Sequence, residues 1–222
     1  MTVKVWPTTL LPNVPVIMQL TSGTVHSRSI NGTPQATDWG GQIWRIGYSF
    51  GPNYPTDKAR SVEAFVSSIM RGTPVNLPIM YQTWADLNTG LVLVDGGSQV
   101  GNQIVTDGWS VTGLVLKAGQ MIGWDIVTAG ENRIDMYRTT EDVIAAGGSA
   151  TIPIEPPITD SPSNNATLRY RKFKSGVAAR ETLVTAKYIA RDVSTNIGNV
   201  LGHSSLAFEF ESWSRGVVPT QN

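Results

Sequence analysis

The sequence predicts a mainly β fold, α+β in class, with one prominent helix at about residues 57–71. Three observations carry that prediction. In "QIWRIGYSF", residues 42–50, Trp44, Ile46, Tyr48 and Phe50 are large and apolar, while Arg45, Gly47 and Ser49 lie between them. Side chains alternate across a strand, so this spacing builds one face for a core and the other for water or a partner. Next, Ala59, Val62, Phe65, Val66 and Ile69 recur at helical spacing. Finally, from about Gly90 onward, short apolar pieces alternate with Asp-Gly, Gly-Gly and Ala-Gly turns, the texture of a small antiparallel barrel or sandwich.

The totals bound the function. The chain has 222 residues, with 17 basic and 17 acidic side chains and a net charge of zero. A protein that neutralises many phosphates carries a basic excess, so no specific nucleic-acid partner is expected. Lack of net charge also removes the repulsion that keeps copies apart. There is no cysteine, which excludes disulfides, thiolate metal sites and a Cys nucleophile. "MTVKVWPTTLLPNVPVIMQL" has three prolines and no uninterrupted apolar run. It does not read as a secretory signal, and no segment approaches the roughly 18 apolar residues of a membrane span. A soluble protein without membrane insertion is expected.

In chain order, "VIMQL" repeats the alternation weakly through Val16, Met18 and Leu20. The polar segment that follows it reads as a hairpin through Asn31-Gly32 or as a projecting loop. The helix opens after Pro55, where Thr56 or Asp57 can cap the first N–H groups, and Gly72 stands where a left-handed C-cap belongs. Its apolar stripe needs a surface, and the Trp44/Ile46/Tyr48 face is the nearest. Asp95-Gly96-Gly97 reads as a hairpin turn. "EDVIAAGGSATIPIEPPI" reads as one helical turn and a strand ending at Pro156-Pro157. "ARETLVTAKYIARDVST" has the length of a helix, but its β-branched residues and the alternation of Thr182, Val184, Ala186 and Tyr188 favour strand. "SLAFEFESW" is a strand, with Leu206, Phe208 and Phe210 on one face and Glu209 and Glu211 on the other.

No constellation looks ready for chemistry. His26 and His203 are far apart and lack a third ligand at metal spacing. Asp86, Asn88 and Asp95 lack the alternating oxygens of a calcium loop. Glu209 with Glu211, or Glu141 with Asp142, could serve glycoside hydrolysis only inside an apolar pocket, and none is evident. The Gly-rich stretches lack the lysine of a phosphate loop. Neither an enzyme nor a cofactor or metal site is expected. Trp84, Trp109 and Trp124 fall in or beside the middle β region, where they fill a core, anchor an interface or stack on a sugar. The candidate interface residues are Arg45, Trp109, Trp124, Glu209 and Glu211.

Residues 40–79, "GGQIWRIGYSFGPNYPTDKARSVEAFVSSIMRGTPVNLPI", resemble a signature of tailed-bacteriophage distal tail proteins, the baseplate hub or tail-tip ring family. In that family an aromatic strand ends in a proline-containing turn, then a helix of this form and an apolar strand follow. Residues 105–124, "VTDGWSVTGLVLKAGQMIGW", resemble the family's middle module, with Gln120 where an acid is usual. The resemblance spans about 37–157, with looser agreement in "SSLAFEFESW". It implies a tail-tube-like β-sandwich or split barrel flanked by the helix, formed by residues 1–85 and 158–222, with a small β-barrel inserted at 86–157. It further implies a structural virion protein at the distal tail: a homo-oligomeric ring, a hexamer in the usual case, joining the tail tube to the tail-tip proteins. The alternative is a carbohydrate-binding β-module, an adhesin using Trp109 or Trp124 against a host glycan.

Overall fold

The computed structural model describes residues 3–7, 9–12, 17–21, 24–28, 34–38, 43–70, 73–79, 88, 90–128, 131–171, 183–189 and 204–212. Within them the chain is mainly β, with one α-helix. Two six-stranded sheets, each with its own apolar cluster, organise it.

The first sheet takes strands from both ends of the sequence. They are β1 (Lys4–Val5), β2 (Ile17–Thr21), β5 (Ile43–Tyr54), β6 (Val75–Pro78), β15 (Leu183–Ile189) and β16 (Ser204–Ser212), in the spatial order β1-β6-β15-β16-β5-β2. Four of the five pairings are antiparallel and β1–β6 is parallel. The register stacks like with like, since Phe210 lies opposite Ile46 and Phe208 opposite Tyr48. That puts Trp44, Ile46, Tyr48 and Phe50 on the same face as the two β16 phenylalanines, and all six are buried.

Helix α1 (Thr56–Ile69) lies over this face and buries Ala59, Val62, Val66 and Ile69 in the same cluster. The helix thus starts and stops close to the expected positions, but not by the expected caps. Pro55 occupies the N-cap with no side-chain hydrogen bond, and Thr56 is already helical. Its ψ of 133° keeps Pro55 outside the helix while its carbonyl accepts the Ala59 N–H at 2.9 Å, and Asp57 lies in the first turn, at the positive end of the dipole. The helix ends at Met70 in a right-handed conformation, its N–H bonded to the Val66 carbonyl. Gly72 lies outside the described residues.

Trp6 is the hub of this core. It follows the two-residue β1 and is 1% exposed. Its ring meets Tyr48 at 5.0 Å, Phe65 at 5.1 Å and Phe210 at 5.9 Å, all edge-to-face, the geometry that aromatic quadrupoles prefer. Its indole N–H donates to the Leu10 carbonyl at 2.8 Å.

Strands β3 (Thr24–Arg28) and β4 (Pro34–Asp38) pair antiparallel with each other, so the polar segment after β2 is a hairpin. Its turn, including Asn31-Gly32, lies outside the described residues.

The second sheet is made of β7 (Leu93–Val94), β8 (Gly101–Asp107), β10 (Met121–Thr128), β11 (Glu131–Thr139), β13 (Ala150–Ile158) and β14 (Leu168–Arg169), ordered β14-β10-β11-β13-β8-β7. A bridge between Leu93 and Thr167, with Leu168 N–H donating to the Val92 carbonyl, joins the two ends. The sheet therefore closes into a small antiparallel barrel. Strands β9 (Gly113–Leu116) and β12 (Val143–Ala145) form a two-stranded ladder beside it.

Two sequence expectations need correction here. No helical turn precedes β13; β12 and a turn at Gly147-Gly148 stand in its place. The Pro156-Pro157 pair does not end the strand either, because β13 runs through it to Ile158. Its ladder to β8 skips from Pro153 to Ile158, so the two missing N–H groups fall where no pairing needs them. The barrel accordingly extends past 157 and is completed by β14 at 168–169.

Candidate functional site

The polar face of the first sheet gathers three of the five candidate residues. Arg45 on β5 lies directly opposite Gln19 of β2 on one side and Glu211 of β16 on the other. Lys187 of β15 is opposite Glu211. Basic, acidic and basic positions thus form one row across three adjacent strands, an order that favours cross-strand attraction. The next row holds Gly47 opposite Glu209, whose side chain is exposed.

Trp109 and Trp124 are elsewhere, inside the barrel, and are 4% and 0% exposed. Trp109 packs on Tyr170 at 5.3 Å and donates its indole N–H to the Thr106 hydroxyl at 3.0 Å. Trp124 stacks flat on Tyr137 at 4.2 Å. Neither ring has an open face for a sugar or a partner subunit. Both belong to the barrel's apolar cluster, with Tyr137, Tyr170, Leu116, Ile122 and Leu168 among its other members. Trp84 and His203 lie outside the described residues, and His26 is on β3.

The motif residues of 105–124 earn their places through turns and close approaches. At Gly108 a Cβ would lie 2.1 Å from the Leu91 carbonyl oxygen, and φ is +80°, so only glycine fits. Gln120, where an acid is usual, accepts the Lys117 N–H on Oε1 at 2.8 Å, as a carboxylate oxygen would. Asn88 is a buried clamp. Its Oδ1 accepts from the Ser110 N–H at 2.5 Å and the Ser110 hydroxyl at 2.6 Å, and its Nδ2 donates to the Gly90 carbonyl and the Tyr170 hydroxyl. That leaves its oxygen engaged by protein donors. Asp95 is exposed, in the β7–β8 turn, where Gln99 ties the backbone from both sides.

A polar cluster that sequence reasoning missed sits in the barrel. Arg133, Asp135 and Tyr137 alternate along β11 and share its inner face. Arg133 Nε donates to Asp135 Oδ1 at 2.8 Å, and Nη2 reaches both Asp135 Oδ2 and Asp160 Oδ2. Burial pushes the Asp135 carboxyl above its ordinary value of 3.8; hydrogen bonding to Arg133 opposes that rise and the charge of Asp160 adds to it. Burial would lower the Arg133 guanidinium, but its two acids outweigh burial and hold it above its ordinary value. Tyr137 is driven up chiefly by burial. The signal was present in "NRIDMYRTT", where charged residues occupy alternate positions in line with a tyrosine on the inward face.

Among the described residues no group of three or more His, Asp or Glu is placed to hold a metal ion, and no helix is long and apolar enough to cross a membrane. Neither a protein-family model nor a curated protein matches the chain.

Proposed function

We propose that the chain is a structural virion protein of a tailed bacteriophage: one subunit of the homo-oligomeric ring at the distal tail, or baseplate, that joins the tail tube to the tail-tip proteins. The observation that carries this reading is a contrast between the two sheets. The barrel closes on itself through Leu93 and Thr167. The first sheet stays open: among the described residues β2 pairs only with β5, and β1 only with β6. An open margin presents backbone donors and acceptors that another chain can take up. Head-to-tail contacts through two unlike margins form a ring where the rotation between copies closes.

The resemblance supports the same reading from the sequence side. Residues 40–79, which carry it, contain β5, α1 and β6, and the helix and both strands share one core. They build the open sheet rather than the barrel. Charged positions of alternating sign in one row across β15, β16 and β5 suit docking against neighbours. The reading assigns the chain a hexameric ring, contacts of roughly 2,000 Å² or more between copies, a place in the virion and no catalysis.

Gold-labelled antibody against the chain, viewed on intact virions by electron microscopy, tests this directly. Label at the distal end of the tail is expected. Label on the capsid, or virions free of the chain, would remove the proposal.

A further inference from the structure

We propose that residues 159–167, which lead from β13 to β14, are a pH-sensitive strap. Asp135 and Asp160 compete for the single guanidinium of Arg133, and the protonation of Asp135 sets how firmly Asp160 holds the strap to β11. The geometry is a shared nitrogen, whose two hydrogens face the two acids, so that the acids divide one positive charge. Arg133 Nη2 lies 3.3 Å from Asp135 Oδ2 and also bonds to Asp160 Oδ2. The Arg133 side chain is 1% exposed, Asp135 9% and Asp160 35%.

Two ionised carboxylates on one buried guanidinium leave a net negative charge in a poorly solvated place. Arginine does not give up its proton in proteins, so the imbalance is relieved by protonating an acid. Asp135 is the more buried acid and its carboxyl is raised, first by burial, with Asp160 adding to the rise against the opposing Arg133 bond. With Asp135 neutral, Arg133 and Asp160 form a balanced pair. With Asp135 ionised, the guanidinium is divided and the two acids repel. Among the described residues, the charged groups acting on Asp135 are Arg133 of β11 and Asp160 of the strap. Tyr137 lies beside it on β11, bonded to Thr159. The β10 residue directly opposite is Trp124, which carries no charge.

The strap matters because it completes the barrel. Beyond Asp160, Asn164 Oδ1 accepts the Gly96 N–H at 2.8 Å and the Asn165 N–H donates to the Val94 carbonyl at 2.9 Å. These bonds fasten the strap to β7 and the turn after it, next to the bridge that closes the sheet.

Hydrogen-exchange protection factors of the full chain, corrected for intrinsic rates and compared at pH 4.5 and 7.5, test the strap. The Gly96 and Asn165 amides should be about fivefold or more better protected at pH 4.5. The Trp6 amide, bonded to the Asn76 carbonyl in the first sheet, should not change. D135N should hold the high protection at both pH values. Equal strap protection at the two pH values, a change that persists in D135N, or an equal change at Trp6 would each overturn the proposal. D160N supplies a second test, because removing that charge should lower the Asp135 titration midpoint read by NMR. An unmoved midpoint would also overturn it.

Discussion

Trp44 Nε1 donates a 2.9 Å hydrogen bond to the Met136 carbonyl, and this bond links the open sheet to the barrel. The Arg138 guanidinium lies 4.8 Å from the centre of the same indole ring, and the barrel residues Met121 and Met136 pack into the first sheet's cluster. The barrel is seated on the sheet, not merely tethered to it. Trp44→Phe should therefore cost about 1–3 kcal/mol by leaving a buried carbonyl unpaired. Trp44→Ala should cost about 3–5 kcal/mol. In chemical denaturation the wild type should unfold in one transition and Trp44→Ala in two.

Trp6 ties the N-terminal segment to helix and sheet through four aromatic neighbours. Trp6→Ala should lower stability by about 3–5 kcal/mol, read from the midpoint of a urea curve. Trp6→Phe keeps most of the packing but frees the Leu10 carbonyl, so it should cost less than the alanine change. Equal costs would show that the hydrogen bond to Leu10, rather than the aromatic packing, carries the loss.

Asn88 holds together the Gly90–Ser110 corner and Tyr170. Asn88→Ala should remove the bonds to the Ser110 N–H and the Tyr170 hydroxyl, with a loss of about 1–3 kcal/mol. Asn88→Asp keeps the acceptor for Ser110 and loses the donor, and should weaken the Gly90 and Tyr170 contacts while sparing Ser110. NMR shifts of Ser110 and Tyr170 would separate the two effects.

The raised Asp135 carboxyl has a definite stability signature. Its folded-state value lies above the unfolded one, so the folded state binds the proton more tightly. The resulting stabilisation is complete below the ordinary value of 3.8 and is lost as pH rises through the folded value. Across that window the slope is up to about 1.4 kcal/mol per pH unit. Thermal denaturation from pH 4 to 7 should show the wild type losing stability relative to D135N as pH increases. A gain would mean that Arg133 dominates over burial.

Much of the architecture was legible from local pattern. The period of Ala59, Val62, Val66 and Ile69 gave α1, the alternation of residues 43–50 gave β5, and Phe208 with Phe210 gave β16. At 183–189 the β-branched alternation outweighed helical length, and the strand was the right choice. What escaped notice depends on partners distant in sequence. Trp6 sits beside a proline and a two-residue strand, so no period marks it. Asn88 meets Tyr170 across 82 positions, and Arg133 meets Asp160 across 27. Pro156-Pro157 misled because a proline breaks a strand only where the ladder needs its N–H, and here the ladder has a gap. Of the five candidate interface residues, Arg45, Glu209 and Glu211 follow the outward positions of two strands. Trp109 and Trp124 could not be placed from pattern, since a tryptophan serves a core and an interface equally well.

The central claim is that the open sheet continues from one copy of the chain to the next. A cryo-electron-microscopy map of the virion's distal tail, at a resolution that separates strands, measures this directly. The account predicts a closed ring in which β2 of each copy lies about 4.7–4.9 Å from a strand of its neighbour. Copies at the tail tip whose β2 margins face solvent, or a tip that contains no density for this chain, would contradict it.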